Sequence, residues 1–193
     1  MLGDYYLKTE DSEKAKDYYL KAYNIKQKDA SALLGLGHYY YIKNDYENAL
    51  NFYQKAYKSD SQNEQIILCL ANTYMAINNQ DEAQNYLKKL LKINQNSDGA
   101  YYLLSKLTPG MKEQYLRKAI SLNPVNVNAW LDLSELKINQ KNFKDAQEYL
   151  FPVRIIEPEN SRYINLKRKI DSKDSANLKS SYDNKEEFLN LIN

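Results

Sequence analysis

Three alanines stand at equal intervals along the first half of the chain. Ala15, Ala49 and Ala83 recur with a period of about 34 residues, and the residues around each alanine match in size and type. A period between about 20 and 50 residues indicates a row of small supersecondary units packed side by side, and not one globular core. The repeat therefore constrains the fold more than any single motif does.

The clearest repeat, residues 30–63, has the apolar pattern of two helices. Apolar or small residues at helical spacing are Ala32, Leu33, Leu36, Gly37 and Tyr40 in its first half and Ala49, Tyr53, Ala56 and Tyr57 in its second. Between the halves, Asp45 follows Asn44 and is a residue type that caps helix starts. The pattern predicts two antiparallel helices joined by a tight turn, with Gly37 facing Ala49 and Ala56 where the helices cross closely.

This spacing resembles that of the tetratricopeptide repeat family along most of the chain. Residues matching the family pattern are Leu2, Gly3, Tyr6, Ala15, Tyr19 and Ala22 before the clearest repeat, Leu70, Ala71, Tyr74, Ala83, Leu87 and Leu90 after it, and Trp130, Leu133, Ser134, Phe143, Ala146, Leu150 and Pro158 later. The resemblance implies an all-α fold, an α-solenoid of antiparallel helix pairs wound into a right-handed superhelix and closed by a C-terminal capping helix.

The predicted solenoid occupies residues 1–170, and the remainder is a tail. The expected units are 1–29, 30–63, 64–97, 98–126 and 127–160, with a capping helix over 161–170. Unit 98–126 is shortened by five residues, and the first helix is cut off at Met1, which leaves an uncapped N-terminal edge. Pro152 falls within a predicted helix, where proline usually causes a kink or a break. Residues 171–193 are expected to be a flexible tail that ends in a short amphipathic helix over 186–193.

Composition narrows the classes of partner and cofactor. The formal net charge is +2 from 27 basic and 25 acidic residues, so the sequence does not predict a nucleic-acid or membrane partner. No apolar run approaches the roughly 20 residues that span a bilayer. The one histidine, His38, excludes a multi-histidine metal site, and we expect neither metal nor cofactor. The one cysteine, Cys69, favours a reducing compartment, and we predict a cytoplasmic location.

Catalytic motifs are not evident in the sequence. Gly35 and Gly37 lie inside a predicted helix with no preceding strand, which is not the context of a phosphate-binding loop. Cys69 and His38 lie on neighbouring first helices and would form a nucleophile and base only if both faced one cleft. Because no third group can be named for that pair, the chain is not predicted to be an enzyme.

The first helix of each pair should line the concave surface, on the side away from its partner helix. The residues that helical phase places there are Leu34, His38, Tyr41, Leu68, Asn72, Met75, Tyr102, Lys106, Leu131, Glu135 and Ile138. Some long family members carry at related positions a ladder of asparagines that hold a peptide backbone. Gly35, Cys69 and Asp132 occupy those places here, so the resemblance does not extend to that ladder.

These features predict a non-catalytic scaffold that binds an apolar peptide or an amphipathic helix of another protein in the concave groove. Self-association through residues 186–193 or through the uncapped N-terminal edge is a second expected mode. Two alternatives stay open: an adaptor domain of a larger enzyme or assembly, and an RNA-binding helical-repeat protein. The RNA alternative requires a basic groove, whereas Lys106 is the one cation in the predicted surface.

Overall fold

The computed structural model describes residues 11–173. Within that range the regular structure is helical, with no strand, which confirms the all-α helical-repeat class. The α-helices are α1 (Ser12–Ile25), α2 (Ala30–Ile42), α3 (Tyr46–Ser59), α4 (Glu64–Ala76), α5 (Gln80–Ile93), α6 (Asp98–Leu107), α7 (Lys112–Leu122), α8 (Val127–Asn139), α9 (Phe143–Ile156) and α10 (Ser161–Lys173). A short 3-10 helix, Pro109–Met111, precedes α7.

Three predictions concern segments outside the described residues. They are the truncated first helix with its N-terminal edge, the flexible tail beyond residue 173, and the amphipathic helix over 186–193. The described chain forms two compact units that meet in sequence at Gln95 and Asn96. We refer to them as unit 1, with α1 to α5, and unit 2, with α6 to α10.

In unit 1 each helix packs against the next one along the chain. The small residues at the crossings are fully buried, as expected for Ala49 and Ala56. Gly37 lies beneath the ring of Tyr53, and a Cβ atom at Gly37 would overlap that ring. Gly35 has the same relation to the ring of Tyr19 from the preceding helix α1. The two glycines therefore make room for buried tyrosines, a more specific role than the expected contact of Gly37 with alanines.

The turn within each full helix pair has one repeated geometry. Asn44, Asn78 and Lys141 have φ angles of 59°, 59° and 60°, in the left-handed region. In the first of these turns, the Asp45 amide donates to the Tyr40 carbonyl at 2.9 Å, and the Asn44 amide donates to the Tyr41 carbonyl at 3.0 Å. This pattern is a Schellman motif, which satisfies the last carbonyls of the first helix.

The residue after each left-handed position caps the second helix. The carboxylate of Asp45 accepts a hydrogen bond from the Asn48 amide, at 3.2 Å. Asn79 and Asn142 make the equivalent bonds at the starts of α5 and α9. Asp45 was expected to have this role from its position in the sequence. One residue thus ends the first helix through its amide and begins the second through its side chain.

Unit 2 contains the shortened pair and the final helix. Helix α6 has 10 residues and α7 has 11, against 13 and 14 in α2 and α3. Helix α9 continues through Pro152, which is itself buried, so of the kink or break expected at this proline the break does not occur. Helix α10 runs from Ser161 to Lys173 and so continues past residue 170, where the predicted capping helix ends. Tyr163, Leu166 and Ile170 of α10 pack onto the core formed by α8 and α9.

Candidate functional site

In unit 1 the predicted surface residues lie on α2 and α4, the first helices of two successive pairs. Residues 34, 38 and 41 on α2 correspond through the sequence repeat to 68, 72 and 75 on α4. Each set has the i, i+4, i+7 spacing of one helix face. All of these side chains are half-buried, and together they define what we call the unit 1 face: Leu34, His38, Tyr41, Leu68, Asn72 and Met75.

A direct contact between α2 and α4 joins the two halves of the unit 1 face. The Nε2 atom of His38 lies 3.9 Å from the Sγ atom of Cys69 on α4. The Nδ1 atom of His38 is hydrogen bonded to the hydroxyl of Tyr53 at 3.1 Å, and the two rings meet edge to face. The histidine thus links the buried tyrosine that covers Gly37 to the neighbouring first helix.

Cys69, His38 and Tyr53 form a cluster. Tyr53 is the third group beside the cysteine and histidine, and the sequence alone did not identify it. Burial raises the pKa of the Cys69 thiol to about 11, although the hydrogen bond with Tyr53 opposes the shift. Burial likewise raises the pKa of Tyr53 above its ordinary value. A cysteine acts as a nucleophile through its thiolate, and this environment keeps the thiol protonated at neutral pH. The cluster is therefore a packing and hydrogen-bonding element of the unit 1 face.

The remaining residues of the unit 1 face are mostly apolar. Leu34 and Tyr41 pack on the edge of the core between α2, α3 and α4, while part of each side chain stays exposed. Leu68 and Met75 are half-buried on α4. The side-chain amide of Asn72 makes no hydrogen bond to another described residue. The face therefore combines apolar area with one available amide group.

Unit 2 departs from the prediction at Leu131. This residue is 0% exposed and packs among Ala146, Leu150 and Tyr163. Helix α10 covers the side of α8 on which Leu131 lies, so Leu131 belongs to the core and not to the concave surface. We therefore define the unit 2 face by the four predicted residues that are not fully buried: Tyr102, Lys106, Glu135 and Ile138.

An ionic network crosses the unit 2 face and was not predicted. The Lys106 ammonium on α6 lies 2.5 Å from Oδ2 of Asp132 on α8, and Arg162 on α10 donates to Oδ1 of Asp132 at 2.7 Å. Arg162 also contacts Glu135 at 3.2 Å, and Lys106 lies over the ring of Tyr102 at 4.8 Å from its centroid. The expected apolar groove is therefore replaced in unit 2 by paired charges.

Asp132 is the central member of this network and is 3% exposed. Burial by itself would raise the pKa of Asp132, but the hydrogen bonds from Lys106 and Arg162 outweigh burial and hold the pKa below its ordinary value. The sequence does contain a signal for this arrangement. A carboxylate between Leu131 and Leu133 on a predicted core-facing helix requires a cationic partner. Identifying that partner, however, required the tertiary structure.

Metal-binding clusters and membrane-spanning helices do not occur within residues 11–173. In this range no three or more His, Cys, Asp or Glu side chains are grouped so that they could hold a metal ion. None of the helices described here has the length and apolar character needed to cross a membrane.

Alternating antiparallel helix pairs with a repeated capped turn define a helical-hairpin repeat protein. Family models of the tetratricopeptide repeat match residues 1–64, 40–107 and 113–170. The chain therefore belongs to the tetratricopeptide repeat family. These repeats are protein–protein interaction modules, and proteins with this fold are generally non-catalytic. No curated protein matches the sequence significantly.

Solved structures with the same fold have low sequence identity to this chain. PilF of Pseudomonas aeruginosa is 20% identical with a TM-score of 0.75, covering 99% of this chain and 84% of its own. TTC0263 of Thermus thermophilus is 15% identical with a TM-score of 0.74, covering 89% and 94%. YrrB, described as a TPR protein with an unusual peptide-binding site, is 20% identical with a TM-score of 0.56, covering 86% and 88%. At these identities the likeness shows the fold alone.

Proposed function

We propose that the unit 1 face binds an apolar peptide segment or an amphipathic helix of another protein. The observation that supports this most directly is the contact between His38 and Cys69, which makes α2 and α4 one continuous surface. Half-buried Leu34, Tyr41 and Met75 supply apolar area that a partner would complete. Apolar side chains at helical spacing are the usual anchors of a helix bound in a groove. The peptide-binding description of YrrB agrees with this proposal.

Asn72 gives the proposed surface its polar contact. An amide side chain can both donate to and accept from the backbone of a bound peptide. Because Asn72 makes no hydrogen bond to another described residue, binding would not require an existing bond to be broken. Met75 and Tyr41 lie one turn further along their helices, where a flexible thioether and an aromatic ring suit partners of differing shape.

On the unit 2 face, by contrast, the charges are paired. Lys106 and Glu135 retain exposed area, and their charges are balanced by Asp132 and Arg162. Pairing of Lys106 with a buried carboxylate also weakens the RNA-binding alternative for this surface, because that alternative requires unpaired positive charge. An adaptor domain of a larger assembly remains compatible with the proposed peptide contacts.

The proposal predicts that Tyr41→Ala combined with Met75→Ala weakens peptide binding while leaving the fold intact. Peptides would first be selected on the wild-type chain from a displayed library of random sequences. Their affinities for each variant would then be measured by fluorescence anisotropy. We expect selected sequences with leucine, isoleucine or phenylalanine at helical spacing. Loss of two apolar contacts should raise Kd by about tenfold or more.

A matched control removes the same residue types elsewhere. Tyr115→Ala combined with Met111→Ala takes away a half-buried tyrosine and an exposed methionine in unit 2, and it should leave Kd unchanged. Far-UV circular dichroism would confirm that both variants keep their helix content. Equal weakening by the two double variants, or selected peptides without apolar residues, would contradict the assignment of the unit 1 face.

A further inference from the structure

The second helices of unit 1 place many lysines along one edge. Helices α1, α3 and α5 alternate with antiparallel partners, so they point in the same direction and their C-terminal ends lie on one side. The last turns of these helices, with the residues that follow them, form what we call the lysine edge: segments 21–30, 55–64 and 88–95. Its cations are Lys21, Lys26, Lys28, Lys55, Lys58, Lys88, Lys89 and Lys92.

The charge of the lysine edge is largely unbalanced. It has eight lysines and three carboxylates, a local excess of five positive charges in a chain whose total is +2. Within residues 11–173, none of the eight lysines forms an ion pair. The three carboxylates have other partners: Asp29 accepts from the Ala32 amide, Asp60 from Asn63, and Glu64 from Asn94. The near-neutral total, which argued against a membrane partner, conceals this local excess.

The lysines are also ordered in space. Lys21, Lys55 and Lys89 occupy one position of the sequence repeat, and their ammonium groups lie 5.0, 5.2 and 5.0 Å from the ring centroids of aromatic residues three positions earlier. Lys28, Lys55 and Lys58 line one depression of about 520 Å³ between the α1–α2 loop and the end of α3. A favourable interaction with the helix dipole explains lysine near each C-terminus. It does not explain why none has an acidic partner.

Exposed isoleucines on the same edge indicate which anionic partner it suits. Ile25, the last residue of α1, is 88% exposed, and Ile93, the last residue of α5, is 46% exposed. Nucleic acid would neutralise the lysines through its phosphates, but a duplex keeps the apolar faces of its bases stacked inside and would offer these isoleucine side chains a polar exterior. A bilayer surface can bind both the lysines and the isoleucines. The lysines bind anionic headgroups, and the apolar side chains insert where the headgroups meet the acyl chains.

We propose that the lysine edge docks on a membrane surface that contains anionic phospholipids. Docking through this edge uses the ends of the second helices and none of the residues of the unit 1 face. Each lysine near an anionic surface should strengthen binding by about fivefold. The interaction is peripheral and electrostatic, so it should weaken steeply as salt is raised. It is independent of the peptide contact proposed above.

The test is co-sedimentation of the full chain with vesicles at low and high NaCl concentration. One set of vesicles contains phosphatidylcholine alone, and the other also contains phosphatidylserine as the anionic lipid. We expect binding only to the phosphatidylserine vesicles, and mainly at the lower salt concentration. The first variant carries Lys→Gln at positions 55, 58, 89 and 92. A fivefold contribution from each lysine predicts that this variant binds about 600-fold more weakly. A second variant, Ile25→Ser, should bind several-fold more weakly.

The control variant removes the same number of positive charges from unit 2. It carries Lys→Gln at the exposed positions 118, 144, 167 and 169. It should bind vesicles nearly as well as the wild type. No binding to phosphatidylserine vesicles at low salt would overturn the proposal, as would equal weakening by both quadruple variants. Binding of a single-stranded oligonucleotide that is lost in the first variant, without vesicle binding, would assign the edge to nucleic acid instead. Peptide affinity measured on the same variants tests the proposed function of the unit 1 face separately, so failure of one proposal can be distinguished from failure of the other.

Discussion

A single residue, Gly37, connects the interior of unit 1 to its candidate binding surface. The absence of a side chain at Gly37 allows the Tyr53 ring to lie against α2. Tyr53 in turn holds His38, and His38 contacts Cys69 on the next first helix. The position of the surface histidine therefore depends on a close approach at the centre of the helix pair.

Gly37→Ala should destabilise the fold even though alanine favours helix formation. Alanine in a helix gains about 1 kcal/mol over glycine. The new Cβ atom would overlap the fully buried Tyr53 ring, and overpacking of a well-filled core typically costs about 1–3 kcal/mol. We expect the overpacking cost to exceed the propensity gain, with a net loss seen in urea denaturation monitored by circular dichroism.

Gly110→Ala is the matched control for that substitution. No atom lies within 4 Å of a Cβ built at Gly110, and its φ angle is not positive. The same chemical change there should leave the urea midpoint unchanged or slightly higher. If Gly37→Ala behaved like Gly110→Ala, Tyr53 would have to shift without cost, and the proposed dependence of His38 on Gly37 would be wrong.

At the scale of elements, the turn inside each full helix pair has the same form three times. Its left-handed residue is asparagine in two turns and lysine in the third. Asparagine tolerates this conformation better than most residues, whereas lysine has no comparable local compensation. The α8–α9 turn therefore contains a strained backbone position that the other two turns largely avoid.

Lys141→Gly should stabilise unit 2. Glycine adopts a φ angle of 60° without the steric cost that a Cβ atom imposes, and it is the residue preferred after a helix of this kind. The exposed side chain of Lys141 makes no hydrogen bond or ion pair with another described residue that the change would remove. We expect a gain of about 0.5–1 kcal/mol, visible as a higher thermal midpoint. Asn78→Gly is the comparison and should gain less. A larger gain at Asn78 would refute the explanation by backbone strain.

At the scale of the whole described chain, the two units have different surfaces. Unit 1 presents an apolar face with one free amide, and unit 2 presents a face on which Asp132 joins α6, α8 and α10 through opposite charges. The final helix is therefore attached by ion pairs on one side and by the apolar contacts of Leu131 on the other.

This network should make the stability of unit 2 depend on pH. Because the native pKa of Asp132 is lowered, the unfolded chain binds a proton more readily than the folded chain. The stabilisation is complete above the ordinary aspartate pKa of about 3.9 and is lost as the pH falls through the lower native value. Asp132→Asn should cost about 1–3 kcal/mol at pH 7, less than a fully buried pair because Lys106 and Arg162 can reach water. The difference between the two proteins should shrink below about pH 4.

Urea denaturation at pH 7, 4.5 and 3 measures this effect. Asp171→Asn makes the same chemical change at an exposed carboxylate without a described partner, and it should leave the midpoint unchanged at every pH. A constant difference between wild type and Asp132→Asn across the three pH values would show that Asp132 acts through its shape and not through its charge.

The repeat in the sequence predicted the all-α class of helix pairs and one helix cap, because both depend on local spacing. Asp45 is the clearest example, since its role follows from the residues on either side of it. Leu131 was misplaced because helical phase shows only that a residue faces away from its own partner helix. It cannot show that a later helix, α10, covers the same side. The Asp132 network escaped prediction because its cations lie far away along the chain, on other helices.

In each of these turns one residue both ends a helix and caps the next one, and this double role limits where residues can be inserted into the chain. Asp45 ends one helix with its amide and starts the next with its carboxylate, so an inserted residue would separate two functions that share one position. Insertions at this end of the helix pairs should disturb both neighbouring helices. The segment around Pro109 and Gly110 has no such shared residue, and Gly110 is surrounded by open space. Engineered loops are therefore best introduced there, where added residues would interrupt only the short 3-10 helix and would leave both neighbouring α-helices in place.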